Sequence, residues 1–337
     1  MHRALLASVA LLLCAAGCAT RTAAPEPAAR PGQSPASGYE VVPKDKDDDL
    51  RIFHADGRVT RGLPALEAMA DADLVLWLAG NQFFAMADVI GAFQRQYPSI
   101  ARVGLITLPP GLLLRATQKG GWTYQGRDVP LQPDLYGSVE LGHLGQLKRS
   151  EKMDRYSVYL HNEMELIVAR GNPKQISGID DLGRDDVRSM LPNPVDEGIM
   201  TFYAKPVLQR HGLWDRLSGG KECKSCQPSA NTYFTAVHHR EIPAAIKAGT
   251  TDVGIVWVTE TRNELQAGSE VQSIRLPPAD SMVRDVGYVI GALRLAKHPA
   301  SAMRYLEFLK TDAAQSAYAR YGFIRASAAE LSQRPIP

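Results

Sequence analysis

No apolar run in this 337-residue chain reaches the ~20 residues that a helix needs to cross a bilayer. Cysteine is scarce too: there are four, two of them within the first eighteen residues, too few for a disulfide-stapled scaffold. The fold must therefore rest on a buried core, and the length favours two domains over one. Charge of one sign is also lacking. The formal net charge is only +2, with no dense basic block interleaved with aromatics, which argues against nucleic acid as a partner. Catalytic signatures are missing as well: there is no G-x-S-x-G, H-E-x-x-H, phosphate-binding Walker loop or strand-linked G-x-G-x-x-G. Neither an enzyme nor a bound cofactor is expected.

What the chain does have begins at its N-terminus. His2 and Arg3 precede the apolar run ALLASVALLLCAAG, too short for a membrane span and suited to a secretory signal. Residues 19–40 are rich in Ala, Pro, Arg and Ser with little to bury, which predicts a disordered tether. Residues 41–72 form an N-terminal extension with an acidic run, Asp47 to Asp49, read as a solvated turn, an edge strand at LRIFHA and a helix at LPALEAMADA. No function attaches to this extension from sequence alone.

From Leu74 onward, strands alternate with helices. LVLWL is a continuous apolar run of the kind that a strand buried on both faces requires. A helix over MADVIGAFQRQ follows, then the strand RVGLITL and a helix after Pro110-Gly111. This alternation predicts an α/β fold, and ligands of such sheets bind beyond the carboxyl ends of the strands. That rule nominates Asn81, Gln82 and Gly111. Asn81 also suits a helix N-cap, and Gln82 an exposed position.

The densest group of polar, cationic and aromatic residues runs from Asn231 to Trp257. Pro243 suits the first turn of a helix over AAIKAG, and DVGIVW reads as a buried strand. His238, His239 and Arg240 then stand just before the helix, where an anion is favoured. Arg240 can also pair with an ordinary surface carboxylate. Asp196 and Glu197 cut the other way: with His238 and His239 they would suit a divalent metal, or they simply cap a helix. Cys223 and Cys226, in ECKSC, should form a disulfide in an exported chain, with redox or metal handling as the alternative.

Several segments carry a family resemblance. AAGC, Ala15 to Cys18, resembles a lipoprotein signal, which implies lipid on Cys18; ordinary signal cleavage is the alternative. NEMELIVARGNPKQISGIDDL, AAIKAGTTDVGIVWVTET and HPASAMRYLEFLKTDAAQSAYARYGF resemble the type II periplasmic solute-binding proteins of ABC importers, close to the molybdate-binding group. The resemblance implies a two-lobed α/β architecture with crossover hinge strands and an interlobe cleft that closes on a ligand. Lobe 1 would comprise residues 73–157 and 285–327, lobe 2 residues 158–284, with a tail at 328–337. It also implies a contact loop at Asn193 to Gly198, and Trp257 in the place of a ligand-facing Tyr. Molybdate binders present small hydroxyl residues where this chain has Asn81-Gln82-Phe83 and Pro109-Pro110-Gly111, so the fold carries over and the ligand does not. The expectation is an envelope-located, lipid-anchored monomer that captures a small oxyanion or organic acid for an ABC permease. Asn81, Gln82, Gly111, Asn193, His238, His239, Arg240 and Trp257 would line its cleft. A metal- or redox-handling protein and a ligand sensor without an importer are the rivals.

Overall fold

The computed structural model describes residues 38–337. The expected signal, Cys18 and nearly all of the tether lie outside the described residues. Two large sheets carry the architecture. In the first, the strands run in the order Ile324–Arg325, Arg155–His161, Gly287–Ala292, Leu135–Ser138, Leu74–Trp77, Arg102–Ile106, Leu50–His54 and Val59–Arg61. Leu74–Trp77 lies parallel to both of its neighbours and is wholly buried, as its unbroken apolar run demands. Helices Met86–Gln96, Pro110–Lys119, Pro299–Phe308 and Asp312–Arg320 belong to this half.

The second sheet runs Cys226–Ser229, Thr232–Phe234, Ser189–Leu191, Val253–Trp257, Met164–Ala169, Val271–Arg275. The chain enters it between His161 and Met164 and leaves it between Arg275 and Gly287, which gives two lobes joined by two crossovers. Residues 158–161, assigned from sequence to lobe 2, complete the strand Arg155–His161 of lobe 1, because their register against Gly287–Ile290 continues to His161. Among the described residues, no helix is long and apolar enough to cross a membrane.

The N-terminal extension is part of lobe 1. Leu50–His54 pairs antiparallel with Arg102–Ile106, and Val59–Arg61 pairs on its outer side, so LRIFH is an inner strand and not the edge. The acidic run is not a solvated turn either: Asp47–Asp49 forms a 3-10 turn whose last residue is buried. Antiparallel register decides this. Leu50 lies opposite Ile106, so the start of the extension's strand reaches the carboxyl end of Arg102–Ile106, where a ligand cleft belongs. The tail is tied down too, with Arg334–Pro335 pairing with Arg155 and Tyr156.

Candidate functional site

Polar side chains from both lobes converge where the strands' carboxyl ends face each other. From lobe 2, Val253–Trp257 is followed directly by the helix Val258–Gln266, which brings Thr259 and Glu260 to the interface. The segment His238 to Glu241 forms a single tight turn before the helix Ile242–Lys247, with the Glu241 carboxylate accepting from the backbone N–H groups of Ala236, Val237 and His238. That carboxylate clamp fixes the direction of His238, His239 and Arg240.

His239 is the hub of the lobe 2 side. Its Nδ1 lies 3.0 Å from Glu197 Oε2, its Nε2 lies 3.0 Å from Glu260 Oε1, and its backbone N–H donates to Glu197 Oε1 at 2.8 Å. Burial acts to lower the imidazole pKa, but the two carboxylates outweigh it and hold His239 up at about 10. Burial likewise pushes the Glu197 carboxyl up, and His239 more than reverses it, leaving the group below its ordinary range. The three side chains form one triad, fully inside the protein.

Hydrogen bonds lead from the triad toward lobe 1. Thr259 donates to Glu260 at 3.0 Å, and the Asn81 amide donates both to Thr259 at 3.3 Å and to the Tyr288 hydroxyl. Asn162, at the first crossover, donates to the same two oxygens at 3.4 and 3.3 Å. Asn81 lies inside the turn Gly80–Phe84, where its side chain makes no cap; it ties lobe 1 to the crossover.

The second cluster spans the lobes. Arg240 donates to Asp49 Oδ1, the Thr107 hydroxyl donates to the same oxygen at 3.1 Å, and His238 Nε2 lies 3.5 Å from Asp49 Oδ2. That last separation permits an electrostatic contact but is too long for a good hydrogen bond. Burial would raise the Asp49 carboxyl, but Arg240 and then His238 overcome it and hold the group well below the carboxylate range. Burial and the nearby Arg240 push the His238 imidazole down, against the pull of Asp49 and Glu197. Arg51 and Arg240 both rest on the Phe83 ring, their guanidinium carbons 4.2 and 4.5 Å from its centroid. Burial, partly offset by Asp49, holds Arg51 down to about 10. Buried polar atoms without a hydrogen-bond partner gather here: both ring nitrogens of His238 and Nε of Arg51 and of Arg240, with Oδ1 of Asn81 likewise unpartnered at the first cluster.

Close approach of the lobes depends on missing side chains. A Cβ on Gly80 would lie 2.8 Å from the His238 ring, and one on Gly198 would lie 2.5 Å from Val139. Gly80→Ala is expected to cost about 1–3 kcal/mol in urea denaturation through overpacking, with a weakened interlobe contact as the cause. An unchanged denaturation midpoint would contradict this placement of His238.

Of the residues nominated by sequence, Asn81, His238, His239 and Arg240 meet at these clusters. Gln82 is buried but turns into lobe 1, where its Oε1 accepts from the Tyr159 and Tyr318 hydroxyls at 2.8 and 3.1 Å. Gly111 donates its N–H to the Asp196 carbonyl at 3.3 Å, and Asn193 accepts from the N–H groups of Val195 and Asp196 to shape its own loop. Trp257 is core, packed against Tyr203 and Tyr288. The metal alternative loses its geometry, because Asp196 is held by Arg115 at 2.7 Å and Lys224 at 2.8 Å while Glu197 is committed to His239. Among the described residues, no group of three or more His, Cys, Asp or Glu is arranged to hold a metal. Cys223 and Cys226 are bonded to each other. Sequence reasoning missed Asp49, Thr107, Thr259 and Glu260; the last two stand just past the carboxyl end of a buried strand, a signal that was available.

Comparison with known proteins follows the geometry. Residues 74–324 match the family described as bacterial extracellular solute-binding protein. YvgL of Bacillus subtilis (strain 168), named for ABC transporter substrate binding and as a lipoprotein, is 22% identical over 167 residues, 48% of this chain and 55% of that protein. The chain thus spans about half the length of this curated relative. The periplasmic molybdate-binding protein of Azotobacter vinelandii superposes with a TM-score of 0.58 at 14% identity, over 75% of this chain and 100% of the other. The sulfate-binding protein SubI of Mycobacterium tuberculosis H37Rv gives 0.56 at 18% identity, over 76% and 88%. At these identities the likeness is one of fold.

Proposed function

The chain belongs to the bacterial extracellular solute-binding proteins, and from that membership we propose that it captures a small anion between its lobes for an ABC-type permease of the inner membrane. Lipid on Cys18 would hold it at the envelope as a monomer. Arg240 and His238 grip the anion from lobe 2, with Thr107 donating from lobe 1.

One observation carries this reading. A carboxylate, that of Asp49, is held across the lobe boundary by Arg240 and Thr107, with His238 beside it. Guanidinium, hydroxyl and imidazole together form the donor set of an anion site, and their burial multiplies the strength of each contact. The unpartnered nitrogens of His238 add capacity for further acceptor oxygens.

Thermal denaturation of the purified protein with sulfate, molybdate, phosphate, acetate, lactate and divalent metal chlorides tests the proposal. An anion that binds the folded state is expected to raise the midpoint by an amount that grows with concentration, about 2.7 kcal/mol at a hundredfold excess over Kd. A response to metals alone would contradict it.

His238 adds a pH signature. Because burial and Arg240 hold its pKa below the ordinary ~6.5, an anion that draws a proton onto the ring should bind more tightly as the pH is lowered below that value. Titrations at pH 5, 6 and 7.5 check this, and His238→Gln is expected to flatten the trend.

A further inference from the structure

We propose that Asp49 is a tethered occupant of the anion site, which an incoming ligand must displace, so that the N-terminal extension sets the affinity of the cleft. This rests on the anion-binding reading above and deepens it.

The extension, and Asp49 with it, lies outside the region matched by the family, which begins at residue 74. Its position is built in. The backbone carbonyl of Asp49 accepts from the Thr107 N–H at 3.0 Å, one step beyond the pair Leu50 with Ile106, so sheet register delivers the carboxylate to the cleft. It is 4% exposed and faces three cationic or potentially cationic groups: Arg240, His238 and Arg51. Arg51 and Arg240 share one face-contact residue, Phe83, and would repel each other without a counter-charge between them. The same position that Asp49 neutralises is the one a ligand anion would take.

The chemistry of exchange then selects the ligand. A tethered carboxylate acts at an effective concentration in the millimolar range or above. A free monocarboxylate offers Arg240 the same group and gains nothing by replacing it. An anion with two charges and more acceptor oxygens can also accept hydrogen bonds from Arg51 Nε and the His238 ring, which have no hydrogen-bond partner while Asp49 is in place. The ligand class is thus a doubly charged tetrahedral oxyanion, and monocarboxylic acids are discriminated against.

Calorimetric titration of the wild-type protein, Asp49→Asn and Asp49→Ala with sulfate, molybdate, phosphate and acetate reads this directly. If the tethered state dominates by ~100 to 1, Asp49→Asn should bind the preferred oxyanion about 100-fold more tightly, and acetate, favoured by the same factor, should come into the measurable range. Asp49→Ala, which removes the tethered carboxylate altogether, should move affinity in the same direction and keeps the test alive if Asp49→Asn folds poorly. Equal or weaker oxyanion binding by the variants, with the wild type binding well, overturns the tethered-occupant proposal alone and makes Asp49 a positioning residue for Arg240. Absence of anion binding in every protein overturns both proposals.

Discussion

Replacement of His239 by alanine is expected to lower folding stability at neutral pH by about 3–5 kcal/mol, the cost of stripping the partner from a buried ion pair. His239 is 2% exposed and stands between Glu197 and Glu260, which are equally buried. Without the imidazolium, two carboxylates remain inside the protein with no cation against them. The pH dependence separates this from a simple cavity. The folded pKa of His239 is raised to about 10, so its contribution is complete below the unfolded value of ~6.5 and is lost as the pH rises through the folded one. Wild-type stability should therefore fall between pH 6.5 and 10. In the variant the orphaned carboxylates favour protonation, so stability should go on rising as the pH is lowered from 6.5 toward 5, where the His239 contribution to the wild type has already levelled off. Urea denaturation at pH 5, 6.5, 8 and 10 measures both slopes. Parallel curves would show that His239 is not charged in the folded protein.

The second large effect belongs to Arg240. Arg240→Ala is expected to weaken oxyanion binding by about 2–4 kcal/mol, roughly 30-fold to 1,000-fold, because the guanidinium is the one fully committed cation of the anion site. The substitution also leaves Asp49 buried with only Arg51 and the His238 ring beside it, so some loss of stability accompanies the loss of affinity. A double-mutant cycle with Asp49→Asn resolves the two. Stability should partly return in the double variant, since neither charge is then orphaned, while oxyanion affinity should stay well below that of Asp49→Asn alone. An affinity in the double variant equal to that of Asp49→Asn would remove Arg240 from the site.

Much of the scaffold was readable before any coordinates, and the reasons are physical. LVLWL and DVGIVW are strands buried on both faces, so their composition alone betrays them. His238, His239 and Arg240 could be nominated because three such side chains beside a predicted helix start are hard to bury without a purpose. Asp49 could not. An acidic triplet reads as solvated, and its burial depends on partners 58 residues away at Thr107 and 191 residues away at Arg240. Gln82 failed for the same reason: the amide looks suited to a ligand, and only the fold reveals that Tyr159 and Tyr318, 77 and 236 residues distant, claim its oxygen. Asp196 likewise reads as a free carboxylate until Arg115 of the opposite lobe meets it. Periodicity encodes which face of a strand is buried. It does not encode which charges meet across a cleft.

The most direct measurement is a crystal structure grown with tungstate, a doubly charged tetrahedral oxyanion whose metal centre is located by anomalous scattering. Capture of an anion between the lobes predicts a single strong peak within hydrogen-bonding reach of the Arg240 guanidinium and the His238 ring, with the Asp49 carboxylate moved out of its present contacts. A peak elsewhere on the protein, or none at Arg240 with the Asp49 pair intact, would contradict it.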